Sequence, residues 1–130
     1  MRGVTLDAGA LIALDRGDPR VIGLLARAAE VGAQITVPAT VLAQAIRHPA
    51  RQARLARLIR QPTTRLVALD GPDATRVGML LAESGTTDIA DAHVVVCARF
   101  AVQAIVTSDP RDLAHLDPMA ELVPIRHDRC

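Results

Sequence analysis

Val4-Thr5-Leu6-Asp7-Ala8-Gly9-Ala10-Leu11-Ile12 is a short apolar run that ends in an acid and passes at once into a helix-forming stretch. The pattern returns at Ile105-Val106-Thr107-Ser108-Asp109-Pro110, and an acidic pair heads another apolar helix at Thr87-Asp88-Ile89-Ala90-Asp91. In an α/β fold, parallel strands bring their carboxyl ends to one edge of the sheet, where ligands bind. Acids remote in sequence then share one pocket, and a cluster of carboxylate oxygens suits a hard cation such as Mg²⁺ or Mn²⁺.

Working outward from these stretches, strand and helix alternate along the chain. Residues 3–6 read as a buried strand and 8–15 as a helix capped by Asp7. Asp18-Pro19 opens a second helix, with a capping acid followed by proline at the first helical position, and Gly32 closes it. Residues 34–37 read as a strand stopped by Pro38, and 39–47 as a helix broken at His48-Pro49, beyond which a further helix runs to about Ile59. A strand at 65–69 leads through a turn at Asp70–Asp73 into a helix ending at Glu83. A valine-rich buried helix at 88–99, a strand at 103–107, a short helix before Pro118 and an edge strand at 121–125 complete the series, and 126–130 form a polar tail prone to fray. This alternation predicts one α/β domain over 1–130, with a parallel sheet covered on both faces.

Composition narrows the chemistry. All fifteen basic residues are arginine. Without lysine there is no P-loop, and an Asp-dependent phosphoryl-transfer domain is disfavoured. Phe100 is the one aromatic residue, so stacking of bases on aromatic platforms is nearly excluded. A net charge of +1 gives no strong global field. Cys97 and Cys130 do not form a disulfide framework. Neither a signal-peptide apolar region nor a membrane-spanning run is present, the pattern expected of a cytoplasmic protein with no membrane association.

Each acid has two readings. Asp7, Asp88 and Asp109 stand where helices begin, and Asp91 and Asp112 follow in first turns, where negative charge meets the helix dipole. Taken jointly, three carboxylates converging to about 5 Å repel by about 3 kcal/mol per pair at an effective dielectric of about 20. A bound cation relieves that repulsion. Arg47, Arg51, Arg54 and Arg57 likewise read as a solvated face, as a phosphate-tracking rim or as a contact for an acidic partner, with Arg51, Arg54 and Arg57 forming a helical stripe. His48, His93, His115 and His127 lack metal-ligand spacing.

Three segments in order carry a resemblance: Leu6-Asp7-Ala8-Gly9-Ala10-Leu11-Ile12, Asp88-Ile89-Ala90-Asp91-Ala92-His93-Val94 and Val106-Thr107-Ser108-Asp109-Pro110-Arg111-Asp112-Leu113. Together they resemble the PIN domains, specifically VapC toxins of bacterial type II toxin–antitoxin systems. The resemblance implies a three-layer α/β/α sandwich with a central parallel sheet. It also implies a Mg²⁺- or Mn²⁺-dependent endoribonuclease that cuts RNA, is neutralised by a small cognate antitoxin and forms a homodimer. Its acidic quartet of three Asp and one Glu carries over to Asp7, Asp91 and Asp109 as metal ligands. In the Glu place, within Val41-Leu42-Ala43-Gln44-Ala45-Ile46-Arg47, stands Gln44, which brings no charge and takes no proton. Gln44 is expected to position a water. Asp88, Thr107, Ser108 and Asp112 are expected to support the ligands from behind. The departure at Gln44 also opens an alternative, a catalytically weakened PIN-like module that binds a protein partner.

Overall fold

A computed structural model describes residues 2–125. The expected tail at 126–130, and with it His127 and Cys130, lies outside the described residues. Among the described residues, five strands form one all-parallel sheet: β1 (Gly3–Leu6), β2 (Gln34–Pro38), β3 (Thr64–Val67), β4 (Ala104–Thr107) and β5 (Leu122–Pro124), in the order β3-β2-β1-β4-β5. The chain builds outward from β1 through β2 to β3, then returns to lay β4 on the other side of β1. The order therefore reverses between β1 and β4, and ligands bind in doubly wound sheets at the carboxyl side of such a reversal. Leu6 pairs with Val106 there. β1 is buried at every residue, which explains its continuous apolar reading.

Among the described residues, seven helices pack around the sheet: α1 (Ala8–Asp15), α2 (Pro19–Glu30), α3 (Ala39–Ala45), α4 (Ala53–Arg60), α5 (Gly71–Ser84), α6 (Ile89–Ala101) and α7 (Pro110–Leu116). α1 packs with α2 and α4, while α5, α6 and α7 pack on one another. α3 touches both α1 and α6 and so links the two helical layers beside the carboxyl end of β2. α6 is buried at Ala90 and continuously from Ala92 to Ala98, as its valine content anticipated. Cys97 lies in that run as a free, buried thiol, pushed up to about 12 chiefly by desolvation.

Two boundaries differ from expectation. β2 runs through Pro38, which pairs with Val67. The β1–β2 pairing has already ended at Thr36, so proline at position 38 interrupts none of it. The segment after His48 is a 3₁₀ turn (Pro49–Arg51), and α4 begins only at Ala53. Arg51 therefore stands in the loop rather than on the α4 stripe expected with Arg54 and Arg57. The cause is Gln52, whose side chain takes the backbone N–H groups of Arg47 and His48 at 3.0 and 3.1 Å and fixes a non-helical path.

A buried polar network ties the sheet together on the side away from the acids. Thr5 and Thr36, both nearly inaccessible, each donate a hydroxyl hydrogen bond to Gln103 Oε1, at 2.9 and 2.8 Å. Gln103 enters this position because Val102 just before it adopts a left-handed conformation, φ 53°, at the end of α6.

Candidate metal centre

Asp7 leaves β1 at the reversal point. Its N–H donates to the Val106 carbonyl at 3.2 Å, which continues the β1–β4 pairing by one step. Its Oδ1 accepts the Ala10 N–H at 2.8 Å and caps α1. The side chain is 3 % exposed. Burial is the largest influence and raises its pKa, as does the charge of Asp109, while hydrogen bonds from Thr107, Ala10 and Ser108 oppose the rise. Thr107, fully buried at the end of β4, also accepts the Asp109 N–H at 2.8 Å. One hydroxyl thus joins the two strand-end acids. Ser108 stands against α1: a Cβ on Gly9 would overlap the Ser108 Oγ. Glycine at position 9 lets β4 close on the first turn of α1, a requirement that the sequence offered only as an unremarkable small residue.

The second acidic pair comes from α6. Asp88 caps the helix, its Oδ1 accepting the Asp91 N–H at 2.9 Å. Asp91 is pushed up to about 7, first by desolvation and then by the charges of Asp88, Asp7, Asp112 and Asp109. Every charge acting on it is negative. Three acids distant in the chain, with Asp88 of the same helix, are therefore within electrostatic reach of one carboxylate. Asp109 does not cap α7 with its side chain. It faces Asp112, whose carboxyl is raised by a hydrogen bond to Asp109 and by that residue's charge. A cavity of about 280 Å³ opens beside Asp91 and is bounded by Thr86, Thr87, Asp88, Asp112 and His115. His115 Nε2 meets the Ser84 carbonyl at 2.9 Å on its rim.

Gln44 is exposed on α3, between buried Val41 and Ala45, and no hydrogen bond ties its amide to the carboxylates. The neighbouring Thr40 instead bonds His93 Nδ1 at 2.8 Å, joining α3 to α6. His93 is fully buried, its Nε2 has no partner, and desolvation lowers its pKa. It serves as a tie between helices two residues from Asp91. Arg54 and Arg57 lie beside an apolar cleft of about 250 Å³ lined by Leu14, Ile22, Leu25 and Leu58. Arg47 reaches the Ile46 carbonyl at 2.9 Å.

The donors at the edge are carboxylate oxygens, which fit a hard divalent cation in kind and in uncompensated charge. Among the described residues, no three His, Cys, Asp or Glu side chains form a set that could hold one ion.

These features coincide with a known class. The chain matches the PIN domain over residues 4–117 and belongs to the PIN domain family. It is similar in fold to VapBC2 from Rickettsia felis, crystallised bound to a DNA fragment from their promoter, with a TM-score of 0.66 and 14 % identity over 95 % of this chain and 98 % of that one. It is also similar to FitAcB from Neisseria gonorrhoeae, with a TM-score of 0.62 and 17 % identity over 92 % of this chain and 95 % of that one. No curated protein matches the chain. Among the described residues, no helix is long and apolar enough to cross a membrane.

Proposed function

We propose that this chain is a divalent-metal-dependent endoribonuclease, the toxin of a toxin–antitoxin pair. The observation that carries the reading is Asp91, raised to about 7 by burial and by four surrounding aspartates at the sheet's reversal point. So much uncompensated negative charge costs stability, and a pocket retains such a cost where it serves chemistry.

Asp7, Asp91 and Asp109 would hold Mg²⁺ or Mn²⁺, which supplies charge to a phosphodiester and lowers the pKa of its water. Thr107 orients Asp7 and fixes the Asp109 backbone. Ser108 closes against α1 at Gly9. RNA as substrate, a small antitoxin as partner, a homodimeric state and a cytoplasmic site of action follow from the family resemblance. The similarity to VapBC2 supports the two-component reading.

The test is hydrolysis of RNA by purified protein with Mg²⁺ or Mn²⁺. Activity that vanishes with EDTA and in Asp7→Asn supports the proposal, whereas equal cleavage by parent and variant refutes it. Co-expression of the adjacent small open reading frame should relieve growth arrest. A second reading, a PIN-like module that binds protein and cuts nothing, is favoured by the uncharged, exposed Gln44. It gains if Gln44→Glu creates cleavage that the parent lacks at any metal concentration.

A further inference from the structure

Among the described arginines, three join side-chain ion pairs and the others do not. Arg20, Arg76 and Arg99 form ion pairs with Asp18, Asp73 and Asp117, each at 3.0 Å. Among the described residues, none of Arg47, Arg51, Arg54, Arg57 and Arg60 joins an ion pair, although all five fall within residues 47–60. Two of them, Arg47 and Arg51, occupy the loop between α3 and α4, where every residue from 46 to 51 is exposed.

An exposed loop of this kind has little of its own to hold it. Here one buried amide does so. Gln52 is 7 % exposed. Its Oε1 accepts the N–H groups of Arg47 and His48, and its Nε2 donates to the Ala45 carbonyl at 2.8 Å and to Asp15 Oδ2 at 3.4 Å. All four hydrogen-bonding sites of the amide are used. Three of the bonds fix the base of the loop. The fourth reaches the last residue of α1, where Arg54 also donates to the Asp15 carbonyl at 3.3 Å. α1 begins at the residue after Asp7 and is about 12 Å long. The arginine loop is thus held at a fixed offset from the acidic edge, through one rigid helix.

We infer that residues 46–51 form an arm that binds the RNA phosphate backbone beside the acidic edge, and that Gln52 is the residue that positions it. The inference rests on the nuclease reading for its substrate. RNA fits the arm better than a protein does, because an interface core needs aromatic or large apolar side chains, and the loop beyond Ile46 has none. Unpaired guanidinium groups on a pre-ordered backbone suit phosphate oxygens.

The arm is tested by binding of a fluorescein-labelled single-stranded RNA in EDTA, with affinity measured against salt. Each arginine on a single strand contributes about 0.7 to the slope of log affinity against log salt, so Arg47→Ala/Arg51→Ala should lower the slope by about 1.4. Between about 50 and 200 mM salt the parent should then lose about sevenfold more affinity than the variant. Gln52→Ala should weaken binding in the parent and have no further effect in the double-arginine background, a non-additivity that a general loss of stability would not produce. An unchanged slope, or an equal Gln52→Ala effect in both backgrounds, overturns the arm. So does an arginine variant that loses an acidic peptide and keeps RNA. The arginine variant alters only exposed side chains and decides the matter if Gln52→Ala does not fold. A slope that falls as expected upholds the arm even where no RNA is cleaved, and the missing cleavage then counts against the nuclease reading alone.

Discussion

Two groups of polar side chains are embedded in this sheet, and they are built on opposite terms. In the Thr5–Thr36–Gln103 network, two buried hydroxyls point at one amide oxygen, each within 2.9 Å. Across the carboxyl edge, Asp7 and Asp91 are desolvated and face further carboxylates. The first group satisfies its hydrogen bonds internally and binds three adjacent segments of the sheet. The second leaves charge uncompensated within the protein. A satisfied network adds to stability, whereas an uncompensated one subtracts from it and gains by an outside ligand.

Substitution at Asp91 should produce the largest separation between the two. Asp91→Asn is expected to reduce metal-dependent RNA cleavage by about a thousandfold, the scale of losing several kcal/mol of charge stabilisation. The same variant should melt higher than the parent in EDTA, since it removes the most strongly raised carboxyl. Cleavage rate and thermal midpoint therefore move in opposite directions, and a variant that loses both would show the edge to be structural.

Gln103→Ala should do the reverse. It leaves two buried hydroxyls without their acceptor and should cost about 2–3 kcal/mol by urea unfolding, with the cleavage rate per folded molecule unchanged. A large loss of kcat there would dissolve the distinction between the two groups.

The pH dependence sharpens the comparison further. Asp91 has a folded pKa near 7 against a reference of 3.8, so between those values the folded chain keeps a proton that the unfolded chain has lost. Stability without metal must then fall as pH rises from about 4 to 7 and level off above, with Asp7 contributing in the same direction. The expected loss is about 2 kcal/mol, roughly half the full linkage value because Asp91 is partly accessible to solvent. Mg²⁺ should reverse the trend, since binding requires the ionised carboxylates, and its stabilising effect should grow through pH 7. Thermal melts across pH with and without Mg²⁺ measure both effects, and parallel curves would contradict the centre.

The smallest expected effect lies at the entrance to the satisfied network. Val102 is β-branched yet left-handed at φ 53°. Val102→Gly should stabilise by about 1 kcal/mol and leave cleavage untouched, as read from the urea midpoint. Destabilisation would mean that Val102 is held there by packing that outweighs its backbone strain.

Most elements could be read in the residues because their signals are local. Asp18-Pro19 followed by spaced apolar residues and Gly32 specifies α2, and the Val-rich run after Asp88 specifies α6. Misreadings fell where a side-chain or cross-strand partner decides the outcome. Pro38 reads as a terminator until Val67 pairs with it. Arg51 reads as helical until the Gln52 amide draws the loop backbone away. Gly9, Thr40 and Gln52 carry no mark in one dimension. The demand on each arises from Ser108, His93 and Asp15 respectively, residues set beside them by folding.

From its order of residues alone, the chain specifies alternating strands and helices and an aspartate at the end of each of two strands and at the head of α6. Periodicity and capping act over a few neighbouring residues, so they can be written into a short stretch. That these aspartates come within electrostatic reach of one another, that Asp7 is buried while Asp109 stays exposed, and that Gln44 stands apart were decided by tertiary structure. Burial and Coulomb forces depend on distance through space, and the return crossing that lays β4 against β1 sets those distances.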